Sequence, residues 1–180
     1  MRRIALSAVL PFLLILAFLS PVRAGTPPPA RTILNAALKE ASSSGKSVFL
    51  IFHATWCSWC KRLDAALDKP EVRKIVDNYY VVTHVDVLER GDKKQTVENP
   101  GGEEIMKSLG GEKSGLPFYV ILDGTGKKLA DSNIMPGNSN IGFPGSQEEI
   151  AAFEKILKQT APRMTAEQRA EVVSHLGVKQ

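Results

Sequence analysis

Two cysteines stand in this chain of 180 residues, and both lie in one stretch, HATWCSWCK, residues 53–61. Cys57 and Cys60 are separated by Ser58 and Trp59, and Trp56 precedes the first. Thiols at this spacing support three chemistries: a structural cross-link, part of a metal site, or a redox couple that opens and closes. A cross-link stabilises by closing a loop in the unfolded chain, and two intervening residues close almost none. Structural zinc asks for four ligands, commonly two Cys-x-x-Cys pairs or two cysteines with two histidines. There is no second cysteine pair, and His53, His84 and His175 show no ligand spacing to one another. The metal alternative is a soft Cu(I) site from Cys57, Cys60 and His53, four residues before Cys57. No other metal site is expected.

Redox chemistry places demands on the elements that carry the pair. Val48–Phe52 is an uninterrupted apolar run between polar residues, the pattern of a central strand buried on both faces. The cysteines follow at once, and Leu63, Ala66 and Leu67 continue a helical face with Cys60. Cys57 then falls at a helix N-terminus, where free N–H groups and the helix dipole stabilise an anion. That lowers the thiol pKa and makes Cys57 the nucleophile. Cys60, one turn on, is shielded and placed to resolve a mixed disulfide.

The remaining elements follow from periodicity. Ile33, Leu34, Ala37, Leu38 and Ala41 make one helical stripe, ended by the run ASSSGK. Asp68-x-x-Glu71 with Pro70 reads as a helix start, with Val72, Ile75, Val76 and Tyr79 as its stripe. Tyr79–Val87 is β-branched and aromatic and reads as a strand. Residues 88–115 are polar and glycine-rich, with a short helical patch at Ile105, Met106 and Leu109. Phe118–Leu122, an Asp-Gly-Thr-Gly turn and Lys127–Ala130 read as a hairpin. Residues 132–145 form a loop whose Asn138, Asn140, Phe143 and Pro144 are placed to shape a groove. Ser146-x-x-Glu149 and Thr165-x-x-Gln168 cap two final helices. Strand-to-helix steps early and a hairpin late give a mixed sheet covered by helices.

Arg2, Arg3, the apolar run Ile4–Leu19 and Val22-Arg23-Ala24 read as a signal peptide cleaved after Ala24. The run is short of the ~20 residues that span a bilayer. The expected organisation is a leader over 1–24, a proline-rich flexible spacer over 25–32, a domain over 33–160 and a helical extension over 161–180. Without the leader the formal net charge falls from +4 to about +1, and nothing in the sequence suggests the clustered basic face that nucleic-acid binding needs. Export, to a bacterial periplasm or beyond the cell, places the thiols in an oxidising compartment, where a reduced pair needs a donor.

The stretch VFLIFHATWCSWCK resembles the buried strand, Trp-Cys-x-x-Cys and lysine of the thioredoxin superfamily. Gly115-Leu116-Pro117-Phe118, ahead of an apolar strand, resembles that family's cis-proline loop. The resemblance covers about residues 33–160 and is closest to exported bacterial thioredoxin-like proteins, including the C-terminal domain of the membrane disulfide-interchange reductase. Lys61-Arg62-Leu63-Asp64 and Asp68-Lys69-Pro70-Glu71-Val72 are similar to that group.

The resemblance implies an α/β thioredoxin-like fold, a mixed sheet with helices on both faces, here with an extra C-terminal helix. It implies an exported thiol–disulfide oxidoreductase, a reductase or interchange enzyme rather than an oxidase, although all three directions share these residues. Cys57 and Cys60 are the catalytic pair, and Leu116 and Pro117 flank Cys57 and receive an extended substrate chain. Trp56 and Trp59 line the substrate face. Lys61 and Asp64 are supporting residues, the first beside the thiolate, the second one turn past Cys60. The Cys57–Cys60 disulfide replaces any cofactor. The implied partners are protein thiols or disulfides and a redox donor or acceptor, membrane-bound in one version; the protein acts as a monomer and does not bind nucleic acid. A third reading is a peptide binder with incidental cysteines.

There are departures from the family pattern. Ser58-Trp59 replaces Gly-Pro between the cysteines, the family's buried acid falls at Ile51, and its helix-kinking proline at Ala65. The family's first strand is not evident in the sequence, and the 88–115 insert is longer than in thioredoxin.

Overall fold

The computed structural model describes residues 25–177; the leader expected over 1–24 lies outside the described residues. Strands β1 (Ser47–His53), β2 (Tyr80–Asp86), β3 (Phe118–Leu122) and β4 (Lys128–Asp131) form one sheet in the order β2-β1-β3-β4. β1 runs parallel to β2 and antiparallel to β3, and β3 is antiparallel to β4. The early parallel and late antiparallel pairing follows from the connections: a helical crossover joins β1 to β2, and a tight turn joins β3 to β4. No strand precedes β1 among the described residues, so β2 forms the edge.

Side chains of β1 alternate between two apolar layers. Val48, Leu50 and Phe52 face α1 (Ala30–Ser44) and α5 (Gly102–Ser108). Phe49 and Ile51 face α2 (Ser58–Leu67), α3 (Pro70–Val76), α6 (Gln147–Thr160) and α7 (Ala166–Ser174). Burial on both faces is why this strand reads as a continuous apolar run. The short α4 (Lys93–Thr96) lies in the insert between β2 and α5. None of the described helices is long and apolar enough to cross a membrane.

The structure departs from three sequence expectations. The spacer is shorter than 25–32, because α1 begins at Ala30, which is fully buried. Pro29 supplies the extended residue ahead of the helix, and the Ala30 N–H donates to Pro100 O at 2.9 Å. The helix start read at Asp68-x-x-Glu71 is present, but its cap falls one residue later. Asp68 ends α2, Lys69 occupies the N-cap of α3, and the Asp68 carboxylate accepts from Arg73 at 3.2 Å instead. Residues 161–177 are part of the domain rather than an appendage, since Ala161, Met164 and Val172 belong to the α2–α3–α6 core. Both later capping boxes form, at Ser146/Glu149 and Thr165/Gln168.

Candidate active site

β1 ends at His53, and the chain turns through Ala54-Thr55-Trp56 into α2. Cys57 is the N-cap of that helix, and its Sγ accepts from the Cys60 N–H at 3.1 Å. A sulfur in this position faces the helix's unpaired N–H groups, which favour a thiolate once the pair is reduced. Cys57 and Cys60 form a disulfide with an S–S distance of 2.05 Å. Both are buried, Cys57 keeping 4% exposure against 1% for Cys60. They pack with Ala54 and the partly buried Leu116.

The Leu116–Pro117 peptide bond is cis and follows the insert that ends at Gly115. Asn140 holds this loop, its Nδ2 donating to Gly115 O at 2.7 Å and to Pro117 O at 3.0 Å. The Leu116 N–H and C=O between them make no hydrogen bond within the described residues. A single backbone rung is therefore free beside the disulfide.

The two tryptophans sit on the surface, Trp56 at 42% and Trp59 at 46% exposure. Trp59 stacks on Phe143 with ring centroids 5.9 Å apart and planes 19° apart, joining the first turn of α2 to the 132–145 loop. A groove of about 1270 Å³ runs from Trp59 and Leu116 past Asn140 and Phe143 to Glu149. Trp56 lies outside that groove's lining. Its Nε1 donates to Leu88 O at 2.8 Å, and the Arg90 guanidinium lies 4.0 Å from its ring centroid. Lys61 is exposed.

The insert does work that the sequence did not reveal. Glu89 is a buried acid, and its carboxylate accepts from the Thr55 N–H and, at 2.8 Å, from the Thr55 hydroxyl. The Glu89 N–H donates to Glu98 Oε2 at 2.7 Å, and Lys93 Nζ donates to the same Thr55 hydroxyl at 3.1 Å. The insert thus braces the turn carrying Trp56 and Cys57. Nothing in the sequence set Glu89 apart from the other acids of this polar stretch.

Asp64 is turned toward the sheet. Its carboxylate lies 3.0 Å from His84 Nε2 and 3.6 Å from His53 Nδ1. His53 Nε2 is 3.1 Å from Asp86 Oδ1, close but off the axis of a directed hydrogen bond. Burial disfavours the charged His53 ring, but the Asp64 and Asp86 carboxylates beside it outweigh burial and raise its pKa from 6.5 to about 9. Burial would likewise raise the Asp64 pKa, but His53 and His84 hold it well below the usual carboxylate range. The position of the family's buried acid is filled by Ile51, fully buried in the core.

The structure does not assemble the copper alternative. His53 faces Asp64, His84 and Asp86, the cysteines are joined to each other, and neither sulfur belongs to the one metal-capable group among the described residues.

Residues 30–124 match the model of the family described as Thioredoxin-like. Protein disulfide isomerase-like 1-1 of Arabidopsis thaliana is 27% identical over 132 residues, covering 72% of this chain and 25% of that protein. The chain therefore spans about a quarter of the length of this curated relative. Among solved structures, the disulphide isomerase of Xylella fastidiosa Temecula1 superposes with a TM-score of 0.49 at 18% identity, covering 81% of this chain and 86% of that one. The C-terminal domain of Neisseria meningitidis DsbD, in its oxidised form, gives a TM-score of 0.42 at 26% identity, covering 58% and 84%.

Proposed function

The chain belongs to the Thioredoxin-like family, and from that premise we propose that it is an exported thiol–disulfide oxidoreductase working by reduction or interchange rather than oxidation. The observation that carries this reading is the Cys57–Cys60 disulfide, capped on a helix N-terminus and set against the free backbone rung at Leu116. The leader-like residues 1–24 support export. The disulfide-isomerase name of the Arabidopsis relative supports interchange.

In the reduced protein the Cys57 thiolate attacks one sulfur of a substrate disulfide. That S–S bond breaks, and one substrate thiolate leaves and takes up a proton. The Cys60 thiol loses its proton, attacks the Cys57 sulfur of the mixed disulfide and releases the second substrate thiolate. The protein is left oxidised as the Cys57–Cys60 disulfide, and the substrate has gained two electrons and two protons. A separate redox protein then returns two electrons and two protons to the pair by thiol–disulfide exchange, so the Cys57/Cys60 dithiol is the only electron store required. Leu116 pairs with an extended substrate backbone in the manner of strand addition. Trp59 and Phe143 supply an apolar wall to the groove.

The test combines two variants and one potential. Cys57→Ser is expected to abolish reduction of a protein disulfide, and Cys60→Ser to accumulate mixed disulfides with substrate. Turnover by Cys57→Ser would overturn the mechanism. Equilibration with glutathione fixes direction: a potential from ~−270 to ~−180 mV fits reduction or interchange, and one near ~−120 mV makes the protein a disulfide donor.

A further inference from the structure

One cluster of ligand-type side chains contains neither sulfur of the disulfide. It is built by strand register. β1 and β2 are parallel, with Ile51 opposite His84 and His53 opposite Asp86. Side chains alternate across a sheet, so His53, His84 and Asp86 leave it on the Ile51 face, which α2 covers. Asp64 comes down from α2 onto the same spot.

One ligand atom each from His53, Asp64 and His84 lies within 4.8 Å of the others. Asp64 bridges the two rings at 3.0 and 3.6 Å, and the ring centroids are 4.8 Å apart. A tetrahedral zinc ion with bonds of ~2.0–2.1 Å sets its ligand atoms roughly 3.3 Å apart; the 3.0 Å contact is made by Asp64 Oδ1 and the 3.6 Å contact by Oδ2, so small side-chain rotations bring one oxygen and both rings onto a shared ion. Two imidazoles and a carboxylate suit borderline divalent ions of the first transition row; soft Cu(I) prefers sulfur.

The surroundings match. His53 Nε2 is buried without an aligned hydrogen-bond partner, and Asp86 sits 3.1 Å from it. With Nδ1 ligating, the proton rests on Nε2 facing a carboxylate, the outer partner that fixes a ligating ring. A cavity of about 300 Å³ opens on the cluster. Asp68, Arg73 and Asp77 stand around it, with Arg73 paired to both acids at 3.2 and 3.5 Å. Asp64, Asp68 and Asp77 line the cavity with Arg73 as its one permanent cation, which favours entry of a positive ion.

We propose that His53, Asp64 and His84 bind a first-row divalent cation of the zinc type. Asp86 orients His53 from outside the coordination sphere, and further positions stay open through the cavity. The ion ties the end of β1, β2 and the active-site helix together, one turn beyond Cys60. This assignment does not depend on the exchange reading.

The test uses the full chain, stripped with chelator and kept oxidised so that neither cysteine can ligate. Zn²⁺ is titrated calorimetrically and Co²⁺ by absorption. One equivalent is expected, with a Co²⁺ ligand-field spectrum lacking a thiolate charge-transfer band. His84→Asn and Asp64→Asn each lower the affinity at least tenfold, and Asp86→Asn about tenfold. In the wild type, the ring resonances of His53 and His84 shift on Zn²⁺ addition and those of His175 do not, a readout that survives if a variant fails to fold. A Kd weaker than ~100 μM, unmoved His53 and His84 resonances, or full affinity in folded Asp64→Asn and His84→Asn overturns the proposal.

Discussion

Removing the Glu89 carboxylate should loosen the turn that presents the disulfide. That carboxylate accepts two hydrogen bonds from Thr55, one from the backbone N–H and one from the hydroxyl, in a residue only 5% exposed. A hydrogen bond to a charged acceptor is worth ~1.5–3 kcal/mol, and a donor left unsatisfied costs ~1–3 kcal/mol. The hydroxyl can turn to another partner, but the N–H cannot. Glu89→Ala should therefore destabilise the protein by about 2–4 kcal/mol. Glu89→Gln keeps an oxygen for the N–H and can donate to the hydroxyl, so it should lose only about 1 kcal/mol. Urea unfolding of the oxidised forms measures both. Disulfide reduction by Glu89→Ala should slow on the order of tenfold, since displacing a reacting group by ~1 Å costs up to 10²-fold. Equal stability losses in the two variants would show that charge rather than bracing is at stake. A loss below ~0.5 kcal/mol in Glu89→Ala, with an unchanged rate, would refute the bracing argument.

Two further outcomes can be checked. In chelator, stability should be highest at mildly acid pH. The raised His53 pKa contributes stability that is complete below its unfolded value of 6.5 and is lost as the pH climbs through about 9. The lowered Asp64 pKa contributes stability present above 3.8 and lost as the pH falls below it. Thermal melts across this range should show both flanks, and His53→Asn should remove the alkaline one. Tyr119 buries a hydroxyl with no hydrogen-bond partner among the described residues, so Tyr119→Phe should leave stability unchanged or raise it by ~1 kcal/mol. A loss of more than ~1 kcal/mol in urea would mean that the hydroxyl has a partner in solution.

The sequence was most informative where one residue's neighbours in the chain are also its neighbours in space. The apolar run ending in Trp-Cys-x-x-Cys placed β1, the turn and α2 in order, and two capping boxes marked α6 and α7 to the residue. Long-range partnerships stayed hidden. His53 and His84 are 31 residues apart, and only the parallel register of β1 on β2 brings them beneath Asp64. A period-two reading shows which face each takes, but not which residue lies opposite. Asp64 read as a helper to Cys60 because the helix turn is visible in sequence and the sheet beneath it is not. Glu89 and Asn140 were lost in polar, irregular stretches, where no periodicity separates a buried, bonded side chain from a solvated one.

Asn99 fixes where the chain enters the domain. Its side chain accepts from the Asp86 N–H at 2.7 Å and donates to Pro28 O at 3.0 Å, while its own N–H returns to Asp86 O at 2.9 Å. Asp86 pairs with His53, four residues before Cys57, so Pro28 is anchored at the end of the sheet that carries the disulfide. A fusion partner or affinity tag joined ahead of Pro28 therefore leaves the domain at the same end of the sheet as the disulfide. A short tether to a surface would hold that end of the sheet, and the disulfide with it, closer to the surface than a long one.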